Sequence, residues 1–197
     1  MKKKDLEIEL EKVPRFEDPD PSLEQYLTPA SIAADVLFTA YANGDIKGLK
    51  VMDLGCGTGM LSFGAWMLGA GSVVGYDISQ KAIAIAESHA SSVGADISFK
   101  LSDINEVSEG ADTIVMNPPF GCQNRRADRD FLKKAMASAD CIYSFHMAET
   151  LDFVKEFVEK NNRKIVHNKM YKYDIPHTFT FHSKEKKIVD VVVVNIR

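Results

Sequence analysis

The residues with the most to offer chemistry stand four in a row, Asn117-Pro118-Pro119-Phe120. Proline fixes φ, lacks an N–H and pushes the residue before it out of the helical region, so Asn117 and Pro118 are expected to be extended with free carbonyls. The loop then presents acceptors: the Asn117 side-chain oxygen and one or two backbone carbonyls. Phe120 adds a flat apolar face on which a planar ring can stack, worth about 1–3 kcal/mol for a nucleobase. A planar group bearing an NH2 fits both features. The lone pair of such an amine, adenine N6 for instance, is delocalised into its ring. Two acceptors holding its hydrogens favour localising that pair and stabilise the positive charge that grows on nitrogen during attack. No strong base is needed. The plainer alternative is a Pro-Pro turn that ends a strand, with Phe120 as a core residue.

Such a loop needs a rigid element behind it. Thr113-Ile114-Val115-Met116, bounded by Asp112 and by the prolines, reads as a buried parallel strand, and open α/β sheets hold ligands at the carboxyl ends of such strands. Upstream strands end in comparable chemistry. Leu49–Leu54 leads into Gly55-Cys56-Gly57-Thr58-Gly59, whose glycines let backbone approach a ligand closely, and Met60–Leu68 follows as a helix. The turn is G-x-G-x-G, not the G-x-G-x-x-G of dinucleotide sites. Met60 stands where the third glycine is needed, and Asp53 before the loop repels a pyrophosphate but can accept from an α-amino group. The strand Ser72–Tyr76 ends in Asp77, about 20 residues beyond the loop, where an acid binds ribose hydroxyls. A third strand, Ile97–Leu101, closes with Asp103-Ile104, a carboxylate and an apolar side chain suited to the N6 edge and the face of an adenine. Singly, each acid is explained as a loop acid. Three at the tips of three successive strands resist that explanation.

The remaining chain supplies the frame. Lys2–Val13 reads as an amphipathic helix with Leu6, Leu10 and Val13 on one stripe, and Pro14–Pro21 as a linker that cannot stay helical. Thr28-Pro29 reads as an N-cap and first helical position, opening a helix that runs to Asn43-Gly44 and leaving Gln25, Tyr26 and Thr28 at its start. Beyond the Pro-Pro loop, Gly121–Asp130 is polar. Arg125, Arg126 and Arg129, with Lys133 and Lys134, form the densest basic cluster near the loop, either a phosphate contact or, diluted by Asp128 and Asp130, a solvated helix start. Cys141–His146 reads as a strand, Glu149–Asn161 as a helix, and Arg163–Tyr173 and Ile188–Ile196 as two more strands, the last apolar and central. Tyr173–His182 interleaves aromatic and basic residues, as a nucleic-acid seat or a long turn. His89 reads as a helix-dipole partner and His146 as a structural histidine.

Composition sets outer limits. The chain has 197 residues with 45% hydrophobic residues, enough for one domain with a sizeable core. A net charge of −4 confines any nucleic-acid binding to a local patch. Cys56, Cys122 and Cys141 show no C-x-x-C pairing and no cysteine–histidine ligand pattern, so neither a disulfide framework nor a metal site is expected. With no apolar segment after Lys2-Lys3-Lys4 and no long apolar run, the expected location is cytoplasmic.

The tetrapeptide resembles the Asp/Asn/Ser-Pro-Pro-Tyr/Phe/Trp signature of S-adenosylmethionine-dependent amino-methyltransferases, which act on adenine N6, cytosine N4, guanine N2 or glutamine N5. The wider chain is closer to one family. Leu23-Glu24-Gln25-Tyr26 with Thr28, Asp53-Leu54-Gly55-Cys56-Gly57, Met67-Leu68-Gly69-Ala70-Gly71, Gly75-Tyr76-Asp77-Ile78, Val115–Gly121, Tyr143-Ser144-Phe145-His146 and Tyr173-Asp174-Ile175-Pro176 resemble the methyltransferase-like protein 5 family of ribosomal RNA adenine-N6 methyltransferases and its archaeal relatives. That resemblance implies an α/β, Rossmann-like class I methyltransferase fold, its seven-stranded sheet ordered 3-2-1-4-5-7-6 with the last strand antiparallel. Residues 1–21 would be an N-terminal helix and linker, and 22–197 the methyltransferase domain. It implies S-adenosyl-L-methionine contacts at Gln25, Thr28, Gly55, Thr58, Met60, Asp77, Asp103 and Ile104, beside Asp53 and Gly57 from the reading above. The target amine would meet Asn117, Pro118 and Phe120 on the ledge braced by Pro119. RNA, probed by Arg125, Arg126 and Arg129, is the implied substrate. A small zinc-binding activator protein, with which eukaryotic members work, is a candidate partner. Thr58 replaces a cysteine common in eukaryotic relatives, and Leu27 replaces a proline found in many members. A protein glutamine-N5 methyltransferase and a non-catalytic RNA-binding assembly factor are the rival functions.

Overall fold

A computed structural model describes residues 1–120, 127–175 and 187–197. Seven strands form one sheet: β1 (Lys50–Leu54), β2 (Ser72–Asp77), β3 (Ser98–Leu101), β4 (Thr113–Met116), β5 (Cys141–Met147), β6 (Ile165–Ile175) and β7 (Lys187–Ile196). Their order is β3-β2-β1-β4-β5-β7-β6, as the family resemblance implies. The first five strands are mutually parallel, and β7 runs antiparallel to both β5 and β6. The order reverses direction between β1 and β4, which opens a crevice at their carboxyl ends.

Burial on both faces explains the uninterrupted apolar strands. Val51, Val115, Tyr143, Phe145, Val191 and Val193 face a core shared with α1 (Lys3–Leu10), α2 (Ala30–Ala42), α3 (Met60–Met67) and α4 (Gln80–Val93). Met52, Leu54, Ile114, Met116, Ile142, Val192 and Val194 face a second core closed by α5 (Ala127–Ser138) and α6 (Leu151–Lys160). Helix α1 packs the expected stripe, with Leu6 and Leu10 fully buried in the first core.

Local rules hold at most boundaries. Ser79 caps α4 by accepting from the Ala82 N–H, and Gly94 ends it in the left-handed region at φ +68°. His89 meets the Phe63 ring edge-on with centroids 4.6 Å apart, and burial lowers its pKa. One expectation fails. Thr28 does not cap α2, which begins at Ala30 with Pro29 at the cap and no side-chain cap bond. The Thr28 hydroxyl is engaged elsewhere. Among the described residues no helix is long and apolar enough to cross a membrane, and no cluster of histidine, cysteine and acidic side chains can hold a metal.

Candidate active site

Asn117 follows the last residue of β4. Its amide nitrogen donates to Thr28 Oγ1 at 3.0 Å and to the Tyr173 hydroxyl at 3.3 Å. Its Oδ1 is buried and has no hydrogen-bond partner. The next backbone donor after the prolines is also held: the Phe120 N–H donates to Glu24 Oε2 at 2.7 Å. Glu24 is itself buried and sits in the left-handed region at φ +50°, a conformation that a non-glycine residue adopts at a cost and that clusters at functional sites. Pro118 is buried. Phe120 is half-buried and packs edge-on against Tyr173, centroids 6.3 Å apart at 83°.

Beside this ledge opens a cavity of about 230 Å³. Every residue assigned above to the cofactor lines it, together with Asn117 and Pro119. Pro118 and Phe120 do not. The glycine turn forms one wall because Gly55, Gly57 and Gly59 all take positive φ, at +70°, +55° and +95°, which only glycine adopts cheaply. A Cβ on Gly59 would meet Phe63 and Phe99 at 2.9 Å, so that position also lacks room.

The acids at the strand tips serve both fold and cavity. Asp53 Oδ2 accepts from the Ser62 N–H at 2.9 Å and the Ser62 hydroxyl at 2.7 Å, tying β1 to α3. Its Oδ1 has no partner. Burial pushes the Asp53 carboxyl up to about 7 against these two hydrogen bonds, and the neighbouring Asp77 charge adds to the rise. Asp77 accepts from the Gly57 N–H and the Ser79 N–H, both at 2.8 Å, which pins the glycine turn to β2; burial raises its pKa as well. Asp103 accepts from Asn105 through one oxygen only. Gln25 accepts from the Asp20 N–H at 2.8 Å, so its carbonyl holds the linker.

Three aromatic residues around the site, two of them walls of the cavity, escaped the sequence reading. Phe16, in the proline-rich linker, lies against the glycine turn, where its ring tip would be 2.9 Å from a Cβ on Gly57. Phe131 of α5 reaches Gly55 and lines the cavity. Tyr173, read above as the end of one strand and the start of the aromatic stretch, lies within β6, fully buried behind Asn117 and outside the cavity lining. Aromatic type was the only local signal for any of them. Burial raises the Tyr173 pKa, opposed by its hydrogen bonds to Asn117 and Thr28.

The basic cluster is less unified. Arg125 and Arg126 lie outside the described residues, as do 176–186 of the aromatic stretch. Arg129 belongs to the first turn of α5, not to a loop, and its guanidinium stands 4.6 Å over the Phe153 ring. Lys134 donates to the Asn105 and Val107 carbonyls, a structural use. His146 is buried, shares a 2.8 Å hydrogen bond with Ser144 Oγ, and is driven down to about 3 by burial; it does not reach the cavity.

Among the described residues, the buried side-chain atoms without a partner are Asp53 Oδ1, Thr58 Oγ1, Asn117 Oδ1 and Asn195 Oδ1. The first three belong to residues that line one cavity. An unsatisfied buried polar atom costs about 1–3 kcal/mol, so three on residues around one space mark a place built for a polar ligand.

Comparison with known proteins agrees with this geometry. A model of the methyltransferase domain matches residues 45–193. An uncharacterized protein of Methanocaldococcus jannaschii, MJ0284, is 39% identical, with 100% of this chain and 94% of that protein covered. The rRNA N(6)-adenosine-methyltransferase METTL5 of Danio rerio is 36% identical over 100% of this chain and 98% of its own length. A crystal structure of a candidate RNA methyltransferase from Pyrococcus horikoshii superposes with a TM-score of 0.93 at 36% identity, covering 100% of this chain and 97% of that one. With the reversal in strand order, the glycine turn and the cavity between them, these matches place the chain in the methyltransferase domain family, as an enzyme of the Rossmann-like class I fold.

Proposed function

We propose that this protein methylates adenine N6 in structured RNA, most simply ribosomal RNA, with S-adenosyl-L-methionine as donor. The observation that carries this reading is the set of partnerless buried oxygens on three residues that line one cavity, Asp53 Oδ1 and Thr58 Oγ1 on the glycine-turn side and Asn117 Oδ1 on the ledge. When bound there, S-adenosyl-L-methionine supplies an electrophilic methyl group. Asp53 faces its α-amino end, Asp77 its ribose, and Asp103 with Ile104 its adenine. These acceptors match the donor pattern of that molecule, while an acid before the turn suits a pyrophosphate poorly.

Asn117 Oδ1, with the Pro118 carbonyl as a second acceptor, holds the hydrogens of the target amine and stabilises positive charge as it develops on nitrogen. The target base must leave its stack to reach the ledge, at a cost of a few kcal/mol. The relatives named above support an RNA target. Arg125, Arg126 and Arg129 are the proposed phosphate contacts, a small zinc-binding activator is the proposed protein partner, and the cytoplasm is the proposed location.

The direct test incubates the protein, alone and with the activator, with labelled cofactor and total cellular RNA or protein, then digests and identifies the methylated unit. N6-methyladenosine is the expected product; a labelled glutamine in protein overturns the substrate assignment. Asn117→Ala is expected to lose turnover by at least about 100-fold while cofactor affinity measured by calorimetry stays unchanged. Wild-type turnover in that variant ends the proposed role of the ledge.

A further inference from the structure

We propose that Glu24 is a positioning residue that sets the Phe120 ring for the target base. The inference rests on the ledge receiving that base, as read above. Pro118 and Pro119 carry no N–H, so neither can be held through a backbone donor, and the Phe120 N–H is the first donor beyond Asn117. A bond to it fixes the plane of the Pro119–Phe120 peptide. That plane decides where the Phe120 ring leaves the backbone.

The acceptor is Glu24 Oε2 at 2.7 Å, 96 residues upstream. A carboxylate makes the stronger kind of hydrogen bond to a backbone N–H. Its placement here carries two costs. The residue is only 7% exposed, so its carboxyl group has given up water, and its backbone stands at φ +50°, in the left-handed region that disfavours a side chain. The Glu24 carbonyl accepts from the Tyr26 N–H at 2.8 Å, which closes that turn. A glycine would adopt this φ freely, so the reason for glutamate lies in its side chain, and the side chain reaches the ledge. Leu23, Glu24 and Gln25 all line the cofactor cavity. One short segment therefore touches both the donor site and the landing place of the base. Tyr173 backs the Phe120 ring edge-on; Glu24 fixes its root.

Glu24→Gly keeps the left-handed backbone and deletes the acceptor. With total ribosomal RNA as methyl acceptor, its kcat is expected to fall about tenfold, while the Tm and the cofactor affinity measured by calorimetry stay unchanged. Glu24→Gln, whose side-chain oxygen reaches the same N–H, is expected to keep near-wild-type turnover. An independent readout needs no turnover. Pro119-Phe120 is the single Pro-Phe step in the chain, so carbonyl-labelled proline with nitrogen-labelled phenylalanine isolates that amide by NMR. Its hydrogen exchange is expected to accelerate in Glu24→Gly and to stay slow in Glu24→Gln. If Glu24→Gly does not fold, Glu24→Asn takes its place under the same criteria, since asparagine tolerates the left-handed region and is one methylene shorter. Wild-type kcat or unchanged exchange in the variant that lacks the acceptor overturns the inference, as does an equal loss of kcat in Glu24→Gln or a loss of cofactor affinity in place of kcat. Wild-type turnover in Phe120→Ala instead overturns the ledge reading beneath it, so the two failures are distinguishable.

Discussion

The proposed pairing of Asp53 with the cofactor ties binding to pH through one buried carboxylate. In the folded protein it keeps its proton up to about 7, against 3.8 for the ordinary side chain, because burial disfavours the charge. A pKa raised on folding means that the group's contribution to stability is complete below 3.8 and is lost as pH climbs through about 7. A ligand carrying an ammonium reverses the preference, since it pairs with the ionised form. Cofactor affinity is therefore expected to rise as pH increases to about 7, then fall once the ligand's own α-amino group deprotonates near about 8. Calorimetric titration between those limits, with Asp53→Asn as control, checks this. The variant should bind weakly and lose the rising limb; a flat profile in the unmodified protein would contradict the pairing.

Elements hold the ledge in place through contacts that no single residue predicts. The segment before α2 is bolted to the end of β4 at two points, Thr28 to Asn117 and Glu24 to the Phe120 N–H. Helices α1 and α2 and strand β6 are joined at Asp35, which binds Lys3 at 2.8 Å, Lys169 at 2.6 Å and the Tyr171 hydroxyl at 2.8 Å. Its burial opposes ionisation, but these donors outweigh that and hold the carboxyl well below the usual range. Close packing of α3 on α2 depends on Gly64, where an added Cβ would lie 2.2 Å from Leu37 Cδ1. Gly64→Ala raises helix propensity by about 1 kcal/mol, yet overpacking a filled core costs about 1–3 kcal/mol. Because Leu37 is fully buried, the clash is expected to win. A lower denaturation midpoint is predicted, and a stabilised variant would show that Leu37 can repack freely.

At the scale of the molecule, a net charge of −4 leaves RNA binding to local basic groups. Arg129 is exposed on α5, its guanidinium stacked on Phe153, with Arg125 and Arg126 four and three residues before it in the chain. Replacing all three by alanine is expected to weaken RNA binding and to reduce the slope of log affinity against log salt by about two, at about 0.7 per phosphate contact on a single strand. Filter binding across a salt series measures both. Undiminished binding with an unchanged slope would move the RNA to another face.

The sheet was legible in the chain because its signals are local. Apolar strands, the glycine turn and acids at strand tips each declare themselves within a few residues, and strand–helix alternation leaves few topologies open. The same holds for the Asn-Pro-Pro-Phe ledge, whose prolines dictate their own backbone. What sequence could not supply was which distant groups share a space. Thr28 has the type and position of a helix cap, but a buried amide 89 residues away takes its hydroxyl. Phe16 looks like a linker residue and Tyr173 like the junction of a strand and the aromatic stretch until folding sets one on the glycine turn and the other behind Asn117. Hydrogen-bond choice inside a packed core is settled by which donors and acceptors meet there, and that meeting exists only once the tertiary structure has excluded water.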